Sequence, residues 1–229
     1  MSLLGDMLGN GAKVAMTDNS MEFIRDIYGA ELFRVPASST KILNLGSAYL
    51  PLADLSRWDL SDTDLTNIDL NGACLREARL AGARLSDASL RGADLSMADF
   101  RFADLFEASL DGATAQRAEF DGSFLGDASL RNADLTYASL EGCILIGTNL
   151  SGALLNYANL RASNLVGADL RDAEMDGIML RGALFNTDGV HLVTQWPSGF
   201  DPFKYGAIEC QWDFMRDPYA IWQSAREIR

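Results

Sequence analysis

A five-residue unit decides the fold of this chain: residues 93–97 are Ala-Asp-Leu-Ser-Met, and residues 133–137 are Ala-Asp-Leu-Thr-Tyr. From Leu50 to Phe185 every fifth residue is the centre of such a unit, which gives 28 units without an insertion. Leu occupies 23 of the centres, and Ala occupies 20 of the 28 positions that lie two residues before them. A repeat of this regularity indicates a stack of identical structural units.

A period of five fits neither regular secondary structure. An α-helix repeats about every 3.6 residues and a strand every two, so neither would keep these positions on one face over the whole repeat. The backbone must therefore turn once per unit. We predict that the large centre and the small residue before it point inward, while the other three positions, rich in Asp, Asn, Arg, Ser and Gly, face water.

The unit resembles the consensus of the pentapeptide-repeat family, which is Ala, Asp or Asn, Leu and two variable residues. The resemblance implies an all-β fold, a right-handed quadrilateral β-helix with four units per coil and about seven coils. At roughly 4.8 Å between stacked strands, the rod would be about 34 Å long. We predict three regions: residues 1–47 as an N-terminal segment with a cap helix, 48–187 as the β-helix, and 188–229 as an aromatic-rich C-terminal cap with a final helix.

Three exceptional centres test the coil of four units. Phe100 and Phe120 are 20 residues apart, so we expect their rings to stack in one interior column. Ala115, the one small centre, precedes Phe120 by one unit. A small centre beside a large one is the compensation that a fixed interior volume requires.

The start of the repeat departs from the pattern. Trp58, Thr63 and Ile68 replace the inner Ala in three consecutive units, so we expect the first coil to be distorted or opened against the N-terminal segment. Before it, Ser20 is a candidate cap for a short helix that ends near Gly29. The apolar residues of that helix would be Met21, Phe23, Ile24 and Ile27.

The end of the chain is rich in aromatic residues. Residues 196–202, Trp-Pro-Ser-Gly-Phe-Asp-Pro, resemble the ending that follows the repeats in many cyanobacterial family members. Asp217 and Pro218 have the residue types that begin a helix. We predict either a C-terminal cap or a helix that pairs two rods. The residues expected to make these contacts are Trp196, Phe200, Trp212, Phe214, Tyr219 and Trp222.

Outward apolar residues concentrate on one side of the predicted rod. Residues 20 apart would form a column, and two neighbouring columns hold most of these residues, with Phe102 around the corner. The complete set is Phe102, Phe106, Phe124, Ile144, Ile146, Val166 and Leu184. An apolar patch of this extent marks an interaction surface. Three occupants remain open: the chain's own aromatic tail, a second copy, or a different protein.

The charge of the chain argues against direct binding to nucleic acid. The net charge is −13, and residues 48–187 contain 21 acidic residues and 11 Arg. Acidic rods of the family that protect DNA gyrase suggest a DNA mimic as an alternative function. Duplex DNA, however, carries about 20 charges over about 34 Å. The repeat has a net charge of −10, and its signs alternate within columns such as Arg91, Asp111 and Arg131.

The sequence favours no enzyme, metal or cofactor. The one histidine, His191, has no Cys or carboxylate at metal-ligand spacing, and the three cysteines are far apart. No apolar run approaches the roughly 18 residues of a membrane span, and no signal peptide is evident, so we expect a cytoplasmic bacterial protein. The leading hypothesis is a non-catalytic scaffold or interaction rod that binds a protein partner or forms a homodimer.

Overall fold

The computed structural model describes residues 21–36, 45–187 and 193–210. Within the repeat, parallel β-bridges join residues that are 20 apart, from Tyr49 with Asp69 to Asn164 with Leu184. Each coil therefore contains four units, one on each side, and the chain forms a right-handed quadrilateral β-helix. This confirms the fold that the resemblance implies.

A β-turn closes every unit. In one of them, the backbone N–H of Ala78 donates to the carbonyl of Leu75 at 3.0 Å. The third residue of each turn has a positive φ at all 28 positions from Ser47 to Gly182, which is the geometry of a type II turn. The polar and glycine-rich composition of the outward positions thus follows from the turn that the repeat needs.

The Asp or Asn before each centre stabilises the next turn. Asp94 Oδ1 accepts a hydrogen bond from the Ser96 backbone N–H at 3.0 Å, and Asn149 Oδ1 accepts one from Ser151 at 3.0 Å. Asp and Asn side chains favour such bonds to the backbone two residues later. The consensus at this position is therefore explained by local turn chemistry.

The interior of the rod is filled by the repeat centres and the small residues before them. Phe100 and Phe120 are fully buried and stack with their ring centroids 4.9 Å apart and their planes 8° apart. Ala115 is buried in the preceding unit. The predicted stack of the two rings is confirmed.

The first coil is regular, so the expected distortion was wrong. The carbonyl of Trp58 accepts from the Arg79 backbone N–H at 2.8 Å, and the Leu60 N–H donates to the Arg79 carbonyl at 2.7 Å. Thr63 is buried and its hydroxyl donates to the Leu60 carbonyl. Trp58 packs against the core but stays half-buried, because it lies in the first coil and is not enclosed by coils on both sides.

The N-terminal cap is a β-hairpin, so the predicted helix at residues 20–29 was wrong. Strands β1 (Met21–Asp26) and β2 (Glu31–Pro36) pair antiparallel, and β1 also pairs with β3 (Ala53–Asp54) of the first coil. Asp26 Oδ1 accepts from the backbone N–H groups of Tyr28 and Ala30 at 2.9 and 2.8 Å. Gly29 has a φ of 88° in this turn. The open backbone edge of the first coil offers pairing partners to an extended segment, which outweighs the weak helical pattern.

The C-terminal cap begins after the last coil. Strand β4 (Leu184–Phe185) pairs in parallel with β5 (Ile208–Glu209), and a 3₁₀-helix spans Pro202–Tyr205. The side chain of Asp201 caps this helix by accepting from the Phe203 backbone N–H. The predicted helix beginning at Asp217 lies outside the described residues. The boundaries at 47/48 and 187/188 remain predictions.

Candidate protein-interaction surfaces

The outward apolar residues lie on one side of the rod, which we call the apolar face: Phe106, Phe124, Ile144, Ile146, Val166 and Leu184. β-Bridges join Phe124 to Ile144 and Asn164 to Leu184, so these residues share one column. The rings of Phe106 and Phe124 stack with centroids 5.5 Å apart. Phe102, on the neighbouring side, is 53% exposed. The other predicted residues form one continuous surface beside it.

The apolar face is more buried than any other side. The exposed fractions of Phe124, Ile146 and Val166 are 3%, 0% and 1%, although all three lie at outward positions. Asp104 and Asn186 on the same side are also buried. On the other three sides of the described coils, Ser96 is the only outward residue that is buried. This side is therefore covered, whereas the others face solvent.

The described end of the chain reaches the apolar face. Ile146 and Val166 form a hydrophobic cluster separate from the main core, and Ile144 and Cys210 pack against it. The backbone N–H of Cys210 donates to the Phe185 carbonyl at 2.8 Å. Sequence analysis missed Cys210, because it follows the end of the five-residue phase and its column cannot be counted.

Aromatic rings cover the end of the last coil. The ring of Phe185 meets Trp196 edge to face at 5.6 Å, and the ring of Phe200 stacks on Trp196 at 5.4 Å. Tyr205 stacks on Phe200 at 4.9 Å. Trp196 and Phe200 thus pack on the core at the C-terminal end of the rod. The other predicted contact residues, Trp212, Phe214, Tyr219 and Trp222, lie outside the described residues.

A second exposed feature is a ladder of stacked side chains at a turn position on the side opposite the apolar face. Tyr137 and Tyr157 are 54% and 51% exposed, and their rings stack with centroids 5.0 Å apart. The guanidinium of Arg117 lies over the Tyr137 ring, 5.7 Å from its centroid. Sequence analysis missed this tyrosine ladder, although the spacing of 20 residues would have revealed it.

Gly177 ends the tyrosine ladder, and we expect Gly177→Ala to destabilise the protein by about 2 kcal/mol. Its φ is 66°, and an added Cβ would meet Tyr157 Cδ1 at 2.4 Å. The left-handed conformation costs Ala about 1 kcal/mol. Displacing the Tyr157 ring from its stack adds about 0.5–1.5 kcal/mol. Chemical denaturation followed by circular dichroism measures the loss.

Gly142→Ala is the matched control for this substitution. Gly142 has a φ of 65°, and a Cβ there would meet nothing within 4 Å. This variant should lose only the conformational part, about 1 kcal/mol. Equal losses in the two variants would show that the contact with Tyr157 is unimportant.

The charged side chains alternate in sign along the rod. Arg57 pairs with Glu77 at 3.0 Å and Arg91 with Asp111 at 3.7 Å, both across adjacent coils. Hydrogen bonds from Arg101 hold the pKa of Asp99 below its ordinary value. Exposed pairs of this kind contribute roughly 0–1 kcal/mol each. They divide the acidic surface into neutralised patches and leave no continuous anionic stripe in these columns.

The described residues offer little reactive chemistry. Burial raises the pKa of the Cys143 thiol to about 12, so this sulfur stays protonated at neutral pH. Among residues 21–36, 45–187 and 193–210, no group of three His, Cys, Asp or Glu side chains is placed to hold a metal ion. No helix in these ranges is long and apolar enough to cross a membrane. His191 lies outside them.

A four-sided β-helix with a covered apolar side and an aromatic end defines a solenoid repeat protein. The sequence model of pentapeptide repeats (8 copies) matches residues 44–76, 73–112, 108–147 and 143–186. These matches span more than half of the chain. The chain belongs to the pentapeptide-repeat family.

Several solved structures are similar to the chain. A pentapeptide repeat protein from the Arabidopsis thaliana thylakoid lumen is 33% identical, with a TM-score of 0.42, over 44% of this chain and 70% of that one. HetL, a pentapeptide repeat protein involved in heterocyst differentiation regulation in the cyanobacterium Nostoc, is 27% identical, with a TM-score of 0.23, over 62% and 84%. A trypsin-treated variant of QnrB1, a plasmid-mediated fluoroquinolone resistance protein, is 18% identical, with a TM-score of 0.43, over 76% and 91%. None of the curated proteins compared with the chain matches it.

Proposed function

We propose that this protein is a non-catalytic rod that binds a protein partner in the cytoplasm, through its apolar face or through the C-terminal segment. The placement of the apolar side chains carries the proposal. The interior is already filled by Leu and Ala, so outward Phe, Ile and Val add nothing to the packing inside the coil. Outward apolar residues that extend over several coils on a single side fit a surface that packs against another polypeptide.

The rigidity of the rod supports this function. The hydrogen-bond ladder between coils holds the apolar face in a fixed geometry, so a partner meets a preorganised surface. Preorganisation reduces the entropy lost on binding. A rod of this kind is suited to recognition of one partner surface.

Affinity capture from the native host, with the purified full-length chain as bait, tests the proposal. We expect a protein to be captured by the wild type and lost with Ile144→Asp, because a carboxylate in the middle of the apolar face would be desolvated without a partner. Direct titration of the purified partner then measures the loss, which should exceed tenfold in affinity.

Leu154→Asp is the matched control for Ile144→Asp. Leu154 is half-buried at the same bridge position of the same coil, on the opposite side of the rod. Binding should survive this change. A partner that binds both variants as tightly as the wild type would contradict docking on the apolar face and leave the C-terminal segment as the proposed contact. If no specific partner is captured and the wild type is a stable dimer in light scattering, the rod would be a homodimer instead.

A DNA mimic that binds gyrase is the second candidate, favoured by the net charge of −10 over residues 48–187. Supercoiling by purified gyrase, measured with and without added protein, tests it. A mimic should change the activity of gyrase at micromolar concentration. An unchanged rate would contradict this candidate, and the alternating ion pairs lead us to expect that result.

A further inference from the structure

The burial of the apolar face needs an explanation within one chain. Outward side chains on the other three sides are exposed or half-buried, whereas Phe124, Ile146 and Val166 have lost nearly all contact with solvent. A side chain at an outward position becomes buried only when other atoms pack above it. Ile144 and Cys210 are the described residues that pack against Ile146 and Val166.

Cys210 indicates which part of the chain supplies the cover. It is bonded to the last coil through the Phe185 carbonyl and already lies against the apolar face. The chain continues from this point with residues 211–229. The N-terminal residues 1–20, in contrast, precede the hairpin that pairs with Ala53–Asp54 at the opposite end of the rod.

The composition of residues 211–229 matches the face. The segment contains Trp212, Phe214, Tyr219, Ile221 and Trp222, and its three Arg balance its three acidic residues. The face from Phe106 to Leu184 extends over four coil spacings, about 19 Å. Nineteen residues reach that distance in any conformation, since even a helix rises about 1.5 Å per residue. Buried aromatic residues are also a large source of hydrophobic stabilisation.

We infer that residues 211–229 lie along the apolar face as an intramolecular cover. This inference deepens the proposed function and in part rests on it: the cover occupies the docking surface, so a partner binds there by displacing it. The segment then acts as a built-in competitor that sets the apparent affinity. The placement of the cover itself requires no partner and is tested on the isolated protein.

Hydrogen exchange of the full-length protein, measured by mass spectrometry, tests the placement. In the wild type, the backbone amides of residues 211–229 should be protected. Ile144→Asp should raise their exchange rates at least tenfold and leave the coil amides unchanged. Leu154→Asp should leave both unchanged. Ile144→Ala and Leu154→Ala provide the same comparison if an acidic variant fails to fold.

Three outcomes would overturn the inference. Residues 211–229 that exchange in the wild type at the rate of an unfolded chain would show that they do not cover the face. Protection lost from residues 1–20 in Ile144→Asp, with residues 211–229 unaffected, would identify the N-terminal segment as the cover. Protection that varies with protein concentration would identify a second copy. None of these results depends on whether a partner is found, so the placement and the proposed function fail separately.

Discussion

Replacing Phe120 with Ala is expected to lower the free energy of unfolding by about 3–5 kcal/mol. The ring is fully buried and stacked on Phe100, with centroids 4.9 Å apart. The backbone around it is fixed by hydrogen bonds to both neighbouring coils, including Phe120 N–H to the Ser139 carbonyl at 2.7 Å. The cavity left by the ring therefore cannot collapse. Denaturation in guanidinium chloride, followed by circular dichroism, measures the loss.

Phe102→Ala is the control for this substitution. Phe102 is two residues after Phe100, but its ring points outward and is 53% exposed. We expect a loss below about 1 kcal/mol, as for most surface substitutions. Similar losses in the two variants would contradict the view that the stacked interior column stabilises the rod.

The interior of this rod is predictable from sequence because one distance governs it. Once the chain turns every five residues, the inward positions are fixed, and Leu and Ala at those positions identify themselves. The coil length is different: a period of five is compatible with several numbers of sides. The value of 20 residues came from the family resemblance, and the stack of Phe100 on Phe120 is the observation in this chain that supports it.

The ends of the rod were harder to predict because their structure depends on contacts distant in sequence. The N-terminal hairpin forms next to an open backbone edge around Ala53–Asp54, and no local pattern in residues 20–29 indicates that edge. The same limit applies to Cys210. It reaches the apolar face after a cap that interrupts the five-residue phase. Local propensities describe a segment alone, whereas these segments are ordered by their neighbours.

The surfaces show how far counting by 20 extends. Assigning outward residues to columns placed Phe124 beside Ile144 correctly, and the same arithmetic applied to all turn positions would have found Tyr137 and Tyr157. Burial is what the arithmetic cannot supply. Tyr137 is half exposed, whereas Ile146 is fully buried, and both are outward residues. The difference depends on what packs over each side.

Replacing Ala138 with Trp is expected to destabilise the protein by about 3 kcal/mol or more, at or above the upper end of typical overpacking costs. Ala138 is 1% exposed, and its carbonyl is bound by the Asn159 backbone N–H at 2.9 Å. Complete coils on both sides close the space around it. Trp58 occupies the equivalent inner position in the first coil without breaking the ladder, because there the side chain remains half-buried. Thermal and chemical unfolding measure the effect.

Ala81→Trp separates overpacking from a general effect of a large aromatic residue. Ala81 is at an outward, half-buried position in the turn that follows Leu80, so an indole there can extend into solvent. We expect a change within about 0.5 kcal/mol. If Ala138→Trp proves no more destabilising than Ala81→Trp, the middle coils must be able to open around a large inner residue. The small inner residue of the repeat would then serve the turn and not the closure of the coil. A large loss confined to Ala138→Trp would instead show that Ala is required where coils close on both sides, and that the repeat relaxes this requirement only at its end.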